Sequence, residues 1–125
     1  MTRDPRYDIL FEPISIGPVR APNRFYQVPH CTGLGYAFPN AQAALRTTKA
    51  EGGWGVVSTQ LCEIDASSEL NHPYDRLWDD DDIPVQARMV DGVHAHGALA
   101  AVQLGHVGLG GKNIYSRMPD RKSVV

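Results

Sequence analysis

The sequence predicts an α/β fold built on a parallel sheet. Short apolar runs at 24–28, 54–59 and 98–104 read as strands, and segments of helical periodicity lie between them. Val56 and Val57 stand side by side, which suits a strand buried on both faces. Strands alternating with helices make βαβ units, and such units place their strands parallel. The runs are therefore expected to lie parallel and adjacent, in chain order.

The elements follow in sequence. Ile14-Ser15-Ile16 alternates apolar and polar, Gly17-Pro18 turns the chain, and Val19-Arg20-Ala21 returns it, which predicts a hairpin ended by Pro22-Asn23. Arg24 to Val28 is rich in β-forming residues and is stopped by Pro29. Residues 30–39 read as loop, and Asn40 is the expected N-cap of a helix over Ala41–Ala50. On that helix Ala41, Ala44, Leu45 and Thr48 share one face, while Gln42, Arg46 and Lys49 share another. Gly52-Gly53 stops it, and Trp54–Thr59 forms the second strand. Residues 61–80 read as loop.

The run Asp79-Asp80-Asp81-Asp82 would suit a divalent metal, but aspartates more commonly cap and complement the positive end of the helix that follows. That helix is expected over Ile83–His96, with Pro84 in its first turn, Val85, Met89 and Val93 on one face, and Gly97 as its stop. Ala98–Leu104 is the third strand.

Composition narrows the class without naming a function. The chain has 125 residues and a net charge of −2, with 42% hydrophobic and 21% charged residues, an ordinary globular balance. Near-neutral charge gives no reason to expect nucleic acid or an anionic membrane as partner. No apolar run approaches the ~20 residues that span a bilayer. The start Met1-Thr2-Arg3-Asp4-Pro5-Arg6 leads into no signal-peptide core, so a cytoplasmic location is expected. The cysteines, Cys31 and Cys62, fit neither a disulfide scaffold nor a zinc motif.

In parallel α/β folds the ligand site lies at the carboxyl ends of the strands. That rule gathers Pro29, His30 and Cys31 after the first strand and Gln60, Leu61 and Cys62 after the second. Gln103, Leu104, Gly105 and His106 follow at the third. Cys31 suits either an inert buried residue or a thiolate nucleophile in a cleft. Cys62, just past a strand, reads as core. Gln103 carries donor and acceptor together, which suits a ring edge of alternating N–H and C=O groups; a backbone-satisfied core glutamine is the alternative. His94 and His96 are two apart and read as surface residues at a helix end. His72 precedes Pro73 in a loop that nothing recruits. His106 is the better placed histidine. Gly108, Gly110 and Gly111 make only a weak phosphate-cradle pattern, and no dinucleotide or Walker signature is present.

Longer strings carry a family signature. Asp8-Ile9-Leu10-Phe11-Glu12-Pro13, Asn23 through Cys31, Lys49-Ala50-Glu51-Gly52-Gly53-Trp54 and Gly97-Ala98-Leu99-Ala100 resemble the start of the trimethylamine and dimethylamine dehydrogenases, over roughly Arg3 to Arg117. More distantly, Pro29 and Gln103-Leu104-Gly105-His106-Val107-Gly108 resemble the old yellow enzyme (NADH:flavin oxidoreductase) superfamily.

The resemblance implies an FMN-bearing (β/α)8 barrel with the flavin across the strand ends. Val28, Pro29 and His30 would flank the isoalloxazine, and Gln103 would bond its pyrimidine edge. Cys31 matches the cysteine joined to flavin carbon 6 in the amine dehydrogenases, or one left unbonded in ene-reductases; a protonated His30 would help its thiolate form. Leu61 and His106 would meet substrate. Leu61 stands where trimethylamine dehydrogenase has a tyrosine of its cation-binding bowl, and Gln103 replaces an acidic residue of the amine dehydrogenases. Both departures point toward demethylation of larger N-methylated compounds.

A complete barrel takes ~250 residues, so the expectation is one domain, 1–125, holding the first three strands and no second domain. Lys122-Ser123-Val124-Val125 departs from the family. Catalytic residues, the flavin-phosphate site and any iron–sulfur cluster would lie downstream. The readings are an FMN-dependent oxidoreductase acting on an N-methylated amine, an ene-reductase with non-covalent FMN, or a truncated product that is not an enzyme alone. A small-molecule substrate is the expected partner, with a homo-oligomer of the full-length protein left open.

Overall fold

The computed structural model describes residues 3–68, 74–106 and 108. His72, Pro73, Gly110, Gly111 and the tail from Arg117 lie outside the described residues. A 3-10 helix at Pro5–Phe11, capped by the Asp4 carboxylate, leads into the hairpin of β1 (Ile14–Ile16) and β2 (Val19–Ala21). The turn is the expected Gly17-Pro18, with Gly17 at φ 56° in the left-handed region that tight hairpins need.

The main sheet holds β3 (Tyr26–Gln27), β4 (Val56–Glu63), β5 (Asp75–Arg76) and β6 (Leu99–Gly105). All of its pairings are parallel. The order β3-β4-β6 is the one expected for the three apolar runs. Since β6 runs along one edge of β4 from Val56 to Glu63, β3 and β5 share the other edge, near its start and its end. The strand β5 falls in the region expected to be loop; two residues are too few to leave a periodic signal. The first strand is likewise shorter than 24–28, because its ladder stops before the Val28-Pro29 step.

Helices α1 (Pro39–Glu51) and α2 (Ile83–His94) pack together on one face of the sheet. Asn40 is not the N-cap of α1. Phe38 is, since Pro39 fits the first helical position with its preset φ and missing N–H. Asn40 instead accepts a bond from Arg88 of α2. Helix α2 ends at His94, before Gly97 at φ 73°, and both His94 and His96 are exposed, as expected. Ahead of it, Asp79 caps a 3-10 turn at Asp80–Asp82, while Asp82, the N-cap of α2, makes no side-chain cap bond, so the acidic run caps the turn that leads into the helix rather than the helix itself.

Ala43, Ala50, Val57, Met89, Val93 and Ala98 form the buried cluster between helices and sheet. Each fully buried large side chain there contributes about 1.5–3 kcal/mol. The buried face of α1 is not the alanine–leucine face. It is the one bearing Gln42, Ala43, Arg46 and Ala50, while Ala41 and Ala44 are exposed.

The feature that positions the site is a bulge in β4. Val56, Val57 and Ser58 pair with Leu99, Ala100 and Ala101, but Leu61 then pairs with Gln103, so Thr59 and Gln60 together face the single residue Val102. Before the bulge, odd positions of β4 face the helices, as Val57 does. After it, Leu61 and Glu63 lie on the opposite face, beside Gln103 and Gly105, and Cys62 turns toward the helices. The Thr59 hydroxyl accepts the Gln103 backbone N–H at 3.2 Å, closing the gap that the bulge opens in the ladder.

Replacing Thr59 by Val keeps the shape and removes that acceptor. T59V is expected to cost about 1–3 kcal/mol, with amide exchange accelerated around Gln103. A urea midpoint and a local exchange profile matching wild type would contradict the bulge's role.

Candidate functional site

The carboxyl ends of β3, β4 and β6 do bring the expected residues to one end of the sheet. Val28 is 59% exposed, Pro29 half-buried, and His30 and Cys31 exposed. Leu61 and Gln103 are register partners on the face away from the helices. Gly105 lets Leu61 lie close, since a side chain at its position would push the Leu61 Cδ1 methyl aside. Gln103 is exposed, and its side-chain amide makes no hydrogen bond among the described residues, which overturns the core-glutamine alternative. Cys62 lies within β4 rather than past it, and is fully buried, as its core reading required.

His106 follows β6 and is exposed. Its Nδ1 accepts the Gly108 N–H at 2.9 Å, and its Nε2 lies 3.1 Å from the Ser67 hydroxyl. Ser67 in turn donates to the Asp65 carboxylate at 2.6 Å, so its oxygen is free to accept from His106. The Ser67 bonds hold the Asp65 carboxyl below its ordinary value, with the nearby His106 adding to the effect.

Behind this rim lies a buried polar bed that the sequence reading did not single out. Arg46 is fully buried. Its Nη1 donates to Gln27 Oε1 at 2.9 Å and its Nη2 to the His30 carbonyl at 2.9 Å. Gln42, one turn earlier, accepts the Thr32 hydroxyl at 3.1 Å and donates to Asp75 at 3.1 Å. Gln60, the second bulge residue, accepts the Thr32 backbone N–H at 2.8 Å. The signal that could have revealed the bed was the i, i+4 spacing of Gln42 and Arg46.

Two expectations about charge change as a result. Burial, then Arg46 and Lys49, push His30 below its ordinary value, so His30 is not the cation that would help Cys31 ionise. The cation within electrostatic reach of Cys31 is Arg46. Burial raises the Asp75 carboxyl, an effect that Gln42, Arg46 and Gln60 partly offset. Burial pushes the Cys62 thiol up to about 12, with Asp75, Asp82 and Glu63 adding to the shift. The Tyr74 hydroxyl, raised chiefly by burial, interacts with Cys31 by charge and by a hydrogen bond.

An apolar cavity of about 390 Å³ lies elsewhere, between the hairpin and the start of the sheet, lined by Ile14, Ile16, Phe25, Tyr26 and Val56. It holds none of the expected site residues.

A parallel sheet with a hairpin, two helices on one face, and polar and thiol side chains toward its strand ends is an α/β arrangement of the barrel type. Residues 9–123 match the NADH:flavin oxidoreductase / NADH oxidase family, and the chain belongs to that family, corresponding to its N-terminal region. Members of the family bind FMN. The chain is 45% identical over 122 residues to the dimethylamine dehydrogenase of Hyphomicrobium sp. (strain x), covering 97% of this chain and 17% of that protein. Its fold superposes on histamine dehydrogenase from Rhizobium sp. 4-9 with a TM-score of 0.87 at 51% identity, covering 95% of this chain and 20% of that one. The 6-hydroxypseudooxynicotine amine oxidase of Pseudomonas geniculata N1 gives the same TM-score at 48% identity, covering 95% and 18%. The chain thus spans a fifth or less of each of these relatives. Among the described residues, no helix is long and apolar enough to cross a membrane.

At pH 8.5 in the native protein, Cys31 is expected to react with a thiol reagent while Cys62 reacts only after unfolding. Peptide mapping of the modified thiols checks this. Because the folded state raises the Asp75 carboxyl, its contribution to stability is full below the ordinary value near 3.8 and is lost as pH rises through the raised value. D75N is therefore expected to gain stability relative to wild type as pH climbs from about 4 toward neutrality, read from denaturant midpoints across that window.

Proposed function

We propose that this chain forms part of the flavin site of an FMN-dependent oxidoreductase that oxidises an amine. The observation that carries the reading is the pairing of Leu61 with Gln103 toward the carboxyl end of the parallel sheet, with the exposed Cys31 beyond β3 at that same end, in a chain about half identical to a histamine dehydrogenase and an amine oxidase.

The residues present fit the flavin. Gln103 offers an exposed amide whose donor and acceptor make no hydrogen bond among the described residues, suited to a pyrimidine edge. Val28 and Pro29 offer an exposed apolar flank, His30 adds a polar neighbour, and Leu61 lies beside Gln103. Cys31 is an exposed thiol at the same end of the sheet, and the reading joins it to flavin carbon 6. When bound, the FMN supplies the two-electron acceptor for the amine C–H bond.

The chain's own residues orient ring and substrate. Leu61 gives the amine an aliphatic rather than an aromatic neighbour, so cation–π attraction at this position is absent. His106, held by Ser67 and Gly108, adds a polar edge that suits a substrate larger than trimethylamine. An N-methylated amine of that kind is the substrate class proposed.

Acid denaturation of the whole protein, followed by mass spectrometry of its peptides, tests the reading. The expected result is flavin retained on the Cys31 peptide in wild type and released in Cys31→Ala. Quantitative release from wild type, with an unmodified Cys31 peptide, would favour non-covalent FMN and ene-reductase-like chemistry. Protein without flavin would remove the reading altogether.

A further inference from the structure

We infer that Arg46 and Gln42 are positioning residues that fix Cys31 between them. Cys31 is exposed, yet the residues on either side of it are tied to buried partners. On one side the His30 carbonyl accepts from Arg46 Nη2 at 2.9 Å. On the other, Thr32 gives its hydroxyl to Gln42 at 3.1 Å and its backbone N–H to Gln60 at 2.8 Å. Gln42 and Arg46 lie four residues apart, on one face of one rigid helix, so a single element grips both flanks of the thiol.

The composition of that face supports the assignment. A fully buried guanidinium without a carboxylate in hydrogen-bond contact is costly, and an apolar side chain of similar volume would commonly stabilise the packing as well or better. Arg46 Nε has no hydrogen-bond partner among the described residues, so the side chain is not arranged to satisfy itself. Its remaining donors are spent on Gln27 and on the backbone of His30. Gln27 in turn donates to His30 Nδ1 at 3.0 Å, and Gln42 is anchored from behind by Asp75. The bed therefore converts the rigidity of α1 and β4 into a fixed position for the segment 29–34. A residue that bonds to flavin, or packs on it, needs that precision. The functional weight of the inference rests on the flavin reading above; the grip itself does not.

The test uses the whole protein with its flavin, as R46M, R46K and Q42A. Amide exchange over 29–34 is followed by mass spectrometry. Cys31 is read separately, by the fraction of its peptide carrying flavin after acid denaturation or, where wild type carries none, by its rate of alkylation with iodoacetamide. R46M and Q42A are each expected to raise exchange over 29–34 by roughly tenfold, with exchange in α1 and β4 within about twofold of wild type. The Cys31 readout should change severalfold in both. R46K keeps a donor for the His30 carbonyl and is expected to recover most of the wild-type behaviour. If R46M does not fold, Q42A and R46K decide the outcome. Unchanged exchange over 29–34 in the folded variants overturns the inference, and so does a loosened segment with an unaltered Cys31 readout. Wild-type protein lacking flavin would sink the flavin reading alone, because exchange and alkylation are measured without it.

Discussion

The extra residue in β4 is the constraint on which the rest of the site depends. A regular strand would keep Leu61 on the face of Val57, against the helices. The bulge reverses the parity, so Leu61 becomes the neighbour of Gln103 while Cys62 enters the core. Both bulge residues are then put to use. Thr59 satisfies the backbone of Gln103 on β6, and Gln60 reaches the other way to the backbone of Thr32. One local irregularity thus ties the third strand and the Cys31 segment to the buried central strand. Bulges are common beside active sites because they re-aim side chains without breaking the sheet.

The second determinant is the polar interior of α1. Helices in α/β domains ordinarily present an apolar stripe to the sheet. Here Ala43 and Ala50 supply that contact, and the neighbouring positions carry Gln42 and Arg46 inward. Such groups are tolerated when most of their hydrogen bonds are made inside, and of these two side chains only Arg46 Nε is left without one among the described residues. The partners are the loop backbone at His30, the Thr32 side chain, and the side chains of Gln27 and Asp75. Fold stability and site geometry are consequently coupled, since the groups that satisfy the buried charge also shape the rim.

Family membership and chemistry remain distinct conclusions. The sheet, hairpin and helices match amine-oxidising relatives closely, but a scaffold of this kind serves many reactions. The side chains at the strand ends differ in character: Leu61 is aliphatic, and the Asp65–Ser67–His106 chain of hydrogen bonds adds polarity at the end of β6.

The sequence by itself determined the hairpin, the two helices and the parallel order of the three main strands. Those follow from local rules: a Gly-Pro turn between alternating residues, spaced apolar positions, and crossovers that force parallel pairing. It also determined that Cys31, Leu61 and Gln103 lie toward the carboxyl end of one parallel sheet, on or just beyond its strands. Tertiary structure alone decided how they meet. A bulge has no composition of its own, so the facing of Leu61 and the burial of Cys62 in β4 could not be read from alternation. The polar face of α1 read as one side of an ordinary helix, because periodicity shows which residues share a face but not which face is buried. The exposure of Gln103 and the depression of His30 likewise depend on neighbours distant in the chain. Burial and charge are properties of the assembled packing, and only contacts such as Arg46 with His30 and Gln60 with Thr32 define them.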